Sequence, residues 1–257
     1  MGCMMTIDLN CDLGESLATR LVGNDEGIMP YLSSANIACG FHGGSPTVMH
    51  NTVQLAMKYG VAIGAHPSFH DIEGFGRREM NIPPGEVYDL IIYQVSALAG
   101  FVRINGSKLH HVKPHGALYN MAARDEIYAK SIADAIADFD SSLILYGLSG
   151  SELIRAGIKR GLVTCSEVFA DRRYQDDGSL TPRTKPHALI TRTNDAVEQV
   201  IRMVKEKTVI SENGKTVNIK AETICIHGDS EHAIPFGKEI RTSLEREGIT
   251  IKAFNGA

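Results

Sequence analysis

The chain has 257 residues, of which 43% are hydrophobic and 22% charged, the composition of an ordinary soluble globular protein. Its 30 acidic and 26 basic residues give a net charge of −4, and no lysine- or arginine-rich block indicates binding to nucleic acid. The apolar runs are shorter than the ~20 residues that span a bilayer, and the first residues lack the pattern of a signal peptide. The five cysteines form no CxxC pair, so the sequence predicts reduced thiols in a cytoplasmic protein without a membrane segment.

Short apolar segments alternate with helical patterns along the whole chain. The predicted strands cover residues 6–10, 35–39, 61–65, 109–113, 143–147, 163–169, 222–227 and 249–254. The predicted helices cover residues 45–60, 83–106, 125–139, 151–160, 194–206 and 230–247. Ser45-Pro46 has the residue types of an N-cap and a first helical position, and Gly60 is typical of a helix end. Strand–helix alternation of this kind predicts a parallel sheet with helices outside it.

One segment interrupts this alternation. "TVISENGKTVNI" (208–219) carries Asn213-Gly214 between two β-rich flanks, which predicts a β-hairpin inserted at about residues 208–221. No long linker or low-complexity tract divides the chain. The sequence therefore predicts a single domain over residues 1–257.

Ionisable residues and glycines follow nearly every predicted strand. An open parallel sheet concentrates its site near one switch point, whereas a β/α barrel collects residues from the ends of many strands at one face. The pattern therefore favours a distorted β/α (TIM-like) barrel of about seven parallel strands. The residues expected at its shared cleft are Asn10, Asp12, Glu15, His42, His66, Lys113, His115, Glu167, Arg172, His227 and Asp229.

Each of these residues also has a simpler interpretation. A single histidine after a strand is more often a satisfied polar residue than a catalyst, and Asp12 or Asp229 could simply cap a helix. Together they could run general acid–base catalysis or hold a divalent metal, for which Asp12, His42 and His66 are the candidates. The absence of an HExxH motif leaves the metal indication weak, and the absence of a GxxxxGK[ST] loop gives no sign of a nucleotide site.

Six ordered motifs resemble the LamB/YcsF family. They are "DLNCDLGE" (8–15), "NIACGFHGG" (36–44), "GAHPSFHDIEGFGRR" (64–78), "KPHGALYN" (113–120), "SEVFADRRY" (166–174) with "GSLTPR" (178–183), and "ICIHGD" (224–229). The resemblance runs from residue 7 to about residue 254. It implies a barrel similar to that of polysaccharide deacetylases and glycoside hydrolases. It also implies that the chain acts as the A subunit of a 5-oxoprolinase, a hydrolase that opens 5-oxo-L-proline to L-glutamate with ATP, beside two further subunits, B and C.

The resemblance and the residues together suggest a division of labour. We hypothesise that subunits B and C phosphorylate the lactam with ATP, with Mg²⁺ expected in the complex, and that this chain completes the hydrolysis. Asp12 or His66 would activate water and His115 would protonate the leaving nitrogen. The residues expected to bind substrate are Asn10, Glu15, His42, Lys113, Glu167, Arg172, His227 and Asp229.

Two alternatives from other classes remain open. The first is a metal-dependent hydrolase of the deacetylase type that acts alone, and the second is a scaffold protein without catalytic residues. The sequence also leaves open whether the chain forms a homo-oligomer.

Overall fold

The computed structural model describes residues 5–17, 21–227 and 233–256, and its strands form a closed parallel barrel. Seven strands close the barrel because β1 pairs with both β2 and β9. β10 pairs with β1 beside the barrel, and β7 and β8 form a separate antiparallel pair. The strands are β1 Thr6–Leu13, β2 Ser34–Ala38, β3 Ala62–His66, β4 His111–Val112, β5 Ile144–Leu148, β6 Thr164–Phe169, β7 Thr208–Ile210, β8 Thr216–Asn218, β9 Thr223–Ile226 and β10 Thr250–Ile251.

The helices lie around the barrel and begin and end near the predicted residues. Ser45 accepts a hydrogen bond from the backbone N–H of Val48, and Gly60 ends the same helix in the left-handed conformation at φ 68°. The predicted helix at 230–247 is confirmed over its described part, since residues 230–232 lie outside the described residues. The helices are α1 Asp25–Ile28, α2 Pro46–Tyr59, α3 Pro84–Ile104, α4 Gly116–Arg124, α5 Glu126–Asp140, α6 Glu152–Arg160, α7 Thr193–Lys205 and α8 Ala233–Arg246.

Helix α3 is long and apolar enough to cross a membrane if only its length and composition are considered, whereas the sequence analysis predicts no membrane segment. Its residues Val87, Ile91, Val95 and Leu98 recur at helical spacing and are fully buried. Helix α3 contacts α5 and β3, which is the position of a core helix in a β/α barrel.

Two local features differ in how well the sequence predicts them. Asn213-Gly214 lies in the connection between the antiparallel strands β7 and β8, as the pattern predicts. The segment "KPHG" leads directly into helix α4, which is not among the helices predicted from the sequence. Gly116 starts that helix at φ 58°, and a Cβ there would lie 2.4 Å from the carbonyl oxygen of Gly76. A glycine is therefore required at this position.

The barrel interior is polar rather than packed with branched aliphatic residues. Side chains of a strand alternate between two faces, so Asp8, Asn10 and Asp12 of β1 all point inward. Asp8 accepts hydrogen bonds from Ser34, Tyr146 and Thr223 at 2.7, 3.0 and 2.6 Å. Burial raises the pKa of Asp8, and these hydroxyl donors partly offset that rise.

The next level of the interior joins β1, β2 and β4. Asn36 donates to Asn10 Oδ1 at 2.7 Å, and His111 Nε2 lies 2.8 Å from Asn36 Oδ1. Gly64 of β3 leaves space for the His111 ring, because a Cβ at Gly64 would lie only 2.1 Å from Nε2. These layers of hydrogen-bonded side chains hold the strands together inside the barrel, below the residues at the carboxyl ends of the strands.

Candidate active site

A buried ion cluster around Lys113 lies at the carboxyl ends of the barrel strands. Its Nζ lies 2.9 Å from Asp12 Oδ1 and 2.8 Å from Glu167 Oε1. The same Nζ lies 3.3 Å from Asn10 Oδ1 and 3.1 Å from Cys225 Sγ. An ammonium group has three hydrogens, so four acceptors surround three donors.

The opposite charges of this cluster stabilise one another's ionised forms. Burial alone would lower the pKa of Lys113, but the charges of Asp12 and Glu167 outweigh it and keep this pKa well above its usual value. Burial alone would raise the pKa of Asp12, whereas His66 and Lys113 outweigh it and hold this pKa well below its usual value. Both partners are therefore ionised at neutral pH.

Glu167 is fully buried and its other contacts are neutral donors. Tyr119 donates to Oε2 at 2.6 Å, and Asn10 Nδ2 donates to Oε1 at 3.0 Å. Burial and the neighbouring Glu167 raise the pKa of Tyr119 well above its usual value, so its hydroxyl keeps its hydrogen. Charged and neutral donors together compensate for burying this carboxylate.

Three histidines and Glu15 form a second cluster beside Asp12. His66 Nε2 lies 3.2 Å from Asp12 Oδ2 and 2.9 Å from His115 Nδ1. The His42 and His115 rings stack with centroids 3.7 Å apart, and Glu15 Oε1 lies 3.1 Å from His42 Nε2. All of these side chains are buried.

The contacts of His115 favour a different role from the predicted one. Burial lowers the pKa of His42 to about 3, and burial with the neighbouring His42 lowers the pKa of His115 well below its usual range. His115 is therefore neutral at pH 7, and its Nε2 is bonded to the Phe75 carbonyl at 2.9 Å. A general acid must carry the proton that it transfers and must reach the leaving group, so these contacts favour a positioning role for His115, and its predicted proton donation stays a prediction.

An aspartate–histidine pair, of which the sequence predicts only His227, lies at the mouth of the barrel. His227 Nδ1 lies 2.9 and 2.8 Å from the two carboxylate oxygens of Asp171. The pair follows from strand register, because Phe169 of β6 lies opposite Cys225 of β9 and each side chain lies two residues further on. Burial alone would raise the pKa of Asp171, but His227 outweighs it and lowers this pKa. Atoms of His227, Asp12 and Cys225 lie within 4.8 Å of one another.

Arg172 is a buried cation at the same mouth. Its Nη2 donates to the Thr181 carbonyl at 2.7 Å, and its Nε has no hydrogen-bond partner among the described residues. Burial and the nearby Arg183 lower its pKa to about 10, so the side chain is still charged at neutral pH. An unsatisfied guanidinium nitrogen in a buried position is suited to receive a carboxylate or phosphoryl oxygen.

The structure brings most of the predicted site residues together at one end of the barrel. Asp12, Lys113, Glu167 and Asn10 form the ion cluster, and Glu15, His42, His66 and His115 form the histidine cluster. Asp229 lies outside the described residues. Besides Asp171, the sequence prediction omitted Tyr119, Cys225 and Asn36. Asp171 could have been found from "ADRR", which directly follows β6, whereas the others lie among apolar neighbours.

Comparison with known proteins decides the family. The model of the LamB/YcsF family matches residues 7–257. The chain belongs to the LamB/YcsF family. It is 56% identical over 250 residues to the 5-oxoprolinase A subunit of Brevibacillus brevis, covering 97% of this chain and 98% of that one. It is 57% identical to the protein of the same name from Geobacillus thermodenitrificans, covering 97% of both chains.

A solved structure shows the same fold. The lactam utilization protein of Thermus thermophilus superposes with a TM-score of 0.92 at 45% identity, covering 97% of this chain and all of that one. The predicted family and the predicted β/α barrel are therefore both confirmed.

Proposed function

We propose that this chain is the A subunit of an ATP-dependent 5-oxoprolinase, which opens 5-oxo-L-proline to L-glutamate. The observation that carries the proposal is its identity of 56–57%, over nearly the whole chain, to proteins of that name. The similarity to a lactam utilization protein supports the same substrate class, because 5-oxoproline is a lactam. The naming of those relatives as one lettered component of an enzyme further supports a complex with other subunits.

The ring amide of 5-oxoproline is unactivated, which is why ATP is needed. In the proposed reaction the γ-phosphoryl group of ATP, with Mg²⁺ bound, moves to the lactam oxygen and ADP leaves. One water then adds to the lactam carbon, and the carbon–nitrogen bond breaks as the nitrogen takes up a proton, which leaves an acyl phosphate. A second water hydrolyses this acyl phosphate to the carboxylate of glutamate and free phosphate. We assign the phosphoryl transfer to subunits B and C, because the sequence of this chain contains no P-loop motif.

The mouth of the barrel supplies groups for the hydrolytic steps. His227 is oriented by Asp171 through Nδ1, so its Nε2 is the nitrogen that would take a proton from water and return it to the ring nitrogen. Asp12 lies beside His227, and in this proposal it still contacts the attacking water. Arg172 would bind the substrate carboxylate or the transferred phosphoryl group, and Lys113 would keep Asp12 ionised.

The test is glutamate release by this chain reconstituted with its two partner subunits, 5-oxoproline and ATP. His227→Asn should lower turnover by roughly 10²–10⁴-fold, the usual contribution of a general acid–base group. His70→Ala serves as the control because His70 is exposed and outside both clusters. Full activity of a folded His227→Asn enzyme would remove His227 from the mechanism. Ring opening by the isolated chain without ATP would favour the stand-alone hydrolase.

The compartment and the partner subunits remain predictions. The described cysteines Cys11, Cys39, Cys165 and Cys225 are buried and form no disulfide, which is compatible with a reducing cytoplasm. Co-purification of the chain with two further proteins from its native cell extract would support the proposed complex.

A further inference from the structure

We propose that Glu15, His42, His66 and His115 bind one divalent transition-metal ion, with Zn²⁺ the best match. These four residues, hereafter the histidine–glutamate cluster, each offer one ligand atom, and the four atoms lie within 4.8 Å of one another. The set differs from the Asp12, His42 and His66 combination that the sequence suggests. The proposal concerns metal binding alone and does not depend on the proposed function.

The hydrogen-bond partners fix which nitrogen of each ring carries its hydrogen. His66 Nδ1 lies 2.7 Å from the carbonyl of Lys113, and His115 Nε2 lies 2.9 Å from the carbonyl of Phe75. A carbonyl oxygen only accepts, so both of these nitrogens must be N–H donors. The opposite nitrogens, His66 Nε2 and His115 Nδ1, therefore present lone pairs to the centre of the cluster.

A serine fixes the position of the hydrogen on His42 in the same way. Ser68 donates its hydroxyl hydrogen to the Phe69 carbonyl at 2.9 Å, so its oxygen accepts the hydrogen of His42 Nδ1, which lies 2.9 Å away. His42 Nε2 is left with a lone pair. Each of the three rings thus donates its far N–H to the protein, the arrangement that orients metal-ligating histidines.

When the three rings are neutral, the atoms that face the centre are all acceptors, and they face one another at short range, with His66 Nε2 also 3.2 Å from Asp12 Oδ2. His66 Nε2 lies 2.9 Å from His115 Nδ1, and Glu15 Oε1 lies 3.1 Å from His42 Nε2 and 3.6 Å from His115 Nδ1. Facing lone pairs repel unless a cation lies between them. A proton can bridge one such contact, whereas a single divalent ion attracts all four atoms at once.

The spacing and ligand types match zinc. A tetrahedral ion with bonds of about 2.0–2.1 Å to nitrogen or carboxylate oxygen holds its ligand atoms roughly 3.3 Å apart. The separations of 2.9, 3.1 and 3.6 Å quoted above scatter around that value. Imidazole nitrogens with one carboxylate suit zinc, rather than calcium or magnesium, which prefer oxygen ligands.

The four ligands come from different parts of the barrel mouth. Glu15 follows β1, His42 follows β2, His66 ends β3, and His115 precedes α4. Four protein ligands fill a tetrahedral shell and leave no open position, as in structural zinc sites. The ion would therefore tie together four neighbouring strand ends, and its removal should loosen the mouth.

The experiment uses the full chain without an affinity tag. Elemental analysis after exhaustive dialysis should find about one zinc per chain. A chelator should remove it, and adding Zn²⁺ back should raise the melting temperature by about 5–10 °C, the shift expected for binding well above the dissociation constant. Co²⁺ in place of zinc should give the visible absorption of a tetrahedral site.

Variants separate this site from adventitious binding. His42→Ala and the isosteric Glu15→Gln should each weaken Zn²⁺ affinity at least ~100-fold, since even changes next to metal ligands cost 10–100-fold. His70→Ala, on the exposed surface, should bind zinc like the wild type. A wild-type chain that neither contains nor takes up a divalent metal, or a folded Glu15→Gln chain that binds it normally, would overturn the proposal.

Discussion

Replacing Lys113 by methionine should destabilise the protein severely, because it leaves two buried carboxylates without their shared cation. Lys113 Nζ lies 2.9 Å from Asp12 and 2.8 Å from Glu167, which are 7% and 0% exposed. Breaking a buried ion pair by removing one partner costs about 3–5 kcal/mol. Neutral donors remain on both carboxylates, so the lower half of that range is the better expectation. The melting temperature should then fall by roughly 6–15 °C for a chain of this length.

A second substitution tests whether charge, rather than lost packing, causes the effect. Glu167→Gln removes one of the two unpaired charges, so the double variant Lys113→Met/Glu167→Gln should be more stable than Lys113→Met alone. Urea unfolding followed by circular dichroism measures each free energy of unfolding. Lys58→Met is the control, because the Lys58–Glu26 pair is exposed and should contribute nothing measurable. A loss below about 1 kcal/mol for Lys113→Met, or no recovery in the double variant, would refute the reasoning.

Three further predictions concern the mouth and the barrel interior. Arg172→Leu should raise the KM for 5-oxoproline by roughly 10–100-fold in the reconstituted enzyme, as loss of a charge-assisted hydrogen bond predicts; an unchanged KM would remove Arg172 from substrate binding. The depressed pKa of Asp12 contributes stability that is present above the unfolded pKa of about 3.9 and is lost as pH falls through the folded pKa. The free energy of unfolding should therefore depend less steeply on acid pH for Asp12→Asn than for the wild type. Equal slopes of unfolding free energy against pH would contradict this. Gly64→Ala should cost at least 1–3 kcal/mol because its Cβ would overlap His111, whereas Gly85→Ala, in open space, should melt like the wild type; equal melting temperatures for both would refute the packing argument.

The barrel and its mouth could be predicted because their signals are local in sequence. Short apolar strands alternate with capped helices, and ionisable residues follow the strands at 10–15, 42, 66, 113–115 and 167. Carboxyl ends of parallel strands lie at one face, so no tertiary information was needed to place these residues together. Helix α4 was missed because Pro114 and Gly116 are typical turn residues, and only the close approach of the Gly76 carbonyl explains why a glycine begins a helix there.

The partners of each side chain could not be predicted, because they depend on register across the barrel. The sequence predicts Asp8, Asn36 and Tyr146 on different strands, and their spacing does not reveal the hydrogen bonds that they make inside the barrel. The neighbours of two histidines could not be predicted for the same reason. His115 lies in a pronounced sequence motif, but it is buried, with Nε2 bonded to the Phe75 carbonyl and Nδ1 facing His66, whereas His227 pairs with Asp171 across β6 and β9.

The most direct test of the central claim is the stoichiometry of the reconstituted reaction. With 5-oxoproline, Mg²⁺, ATP, this chain and its two partner subunits, glutamate and ADP should form in equal amounts, and omission of this chain should abolish glutamate formation. The isolated chain should form neither product. Glutamate formation that continues without this chain, or that this chain performs alone without ATP, would contradict its assignment as the A subunit of an ATP-dependent 5-oxoprolinase.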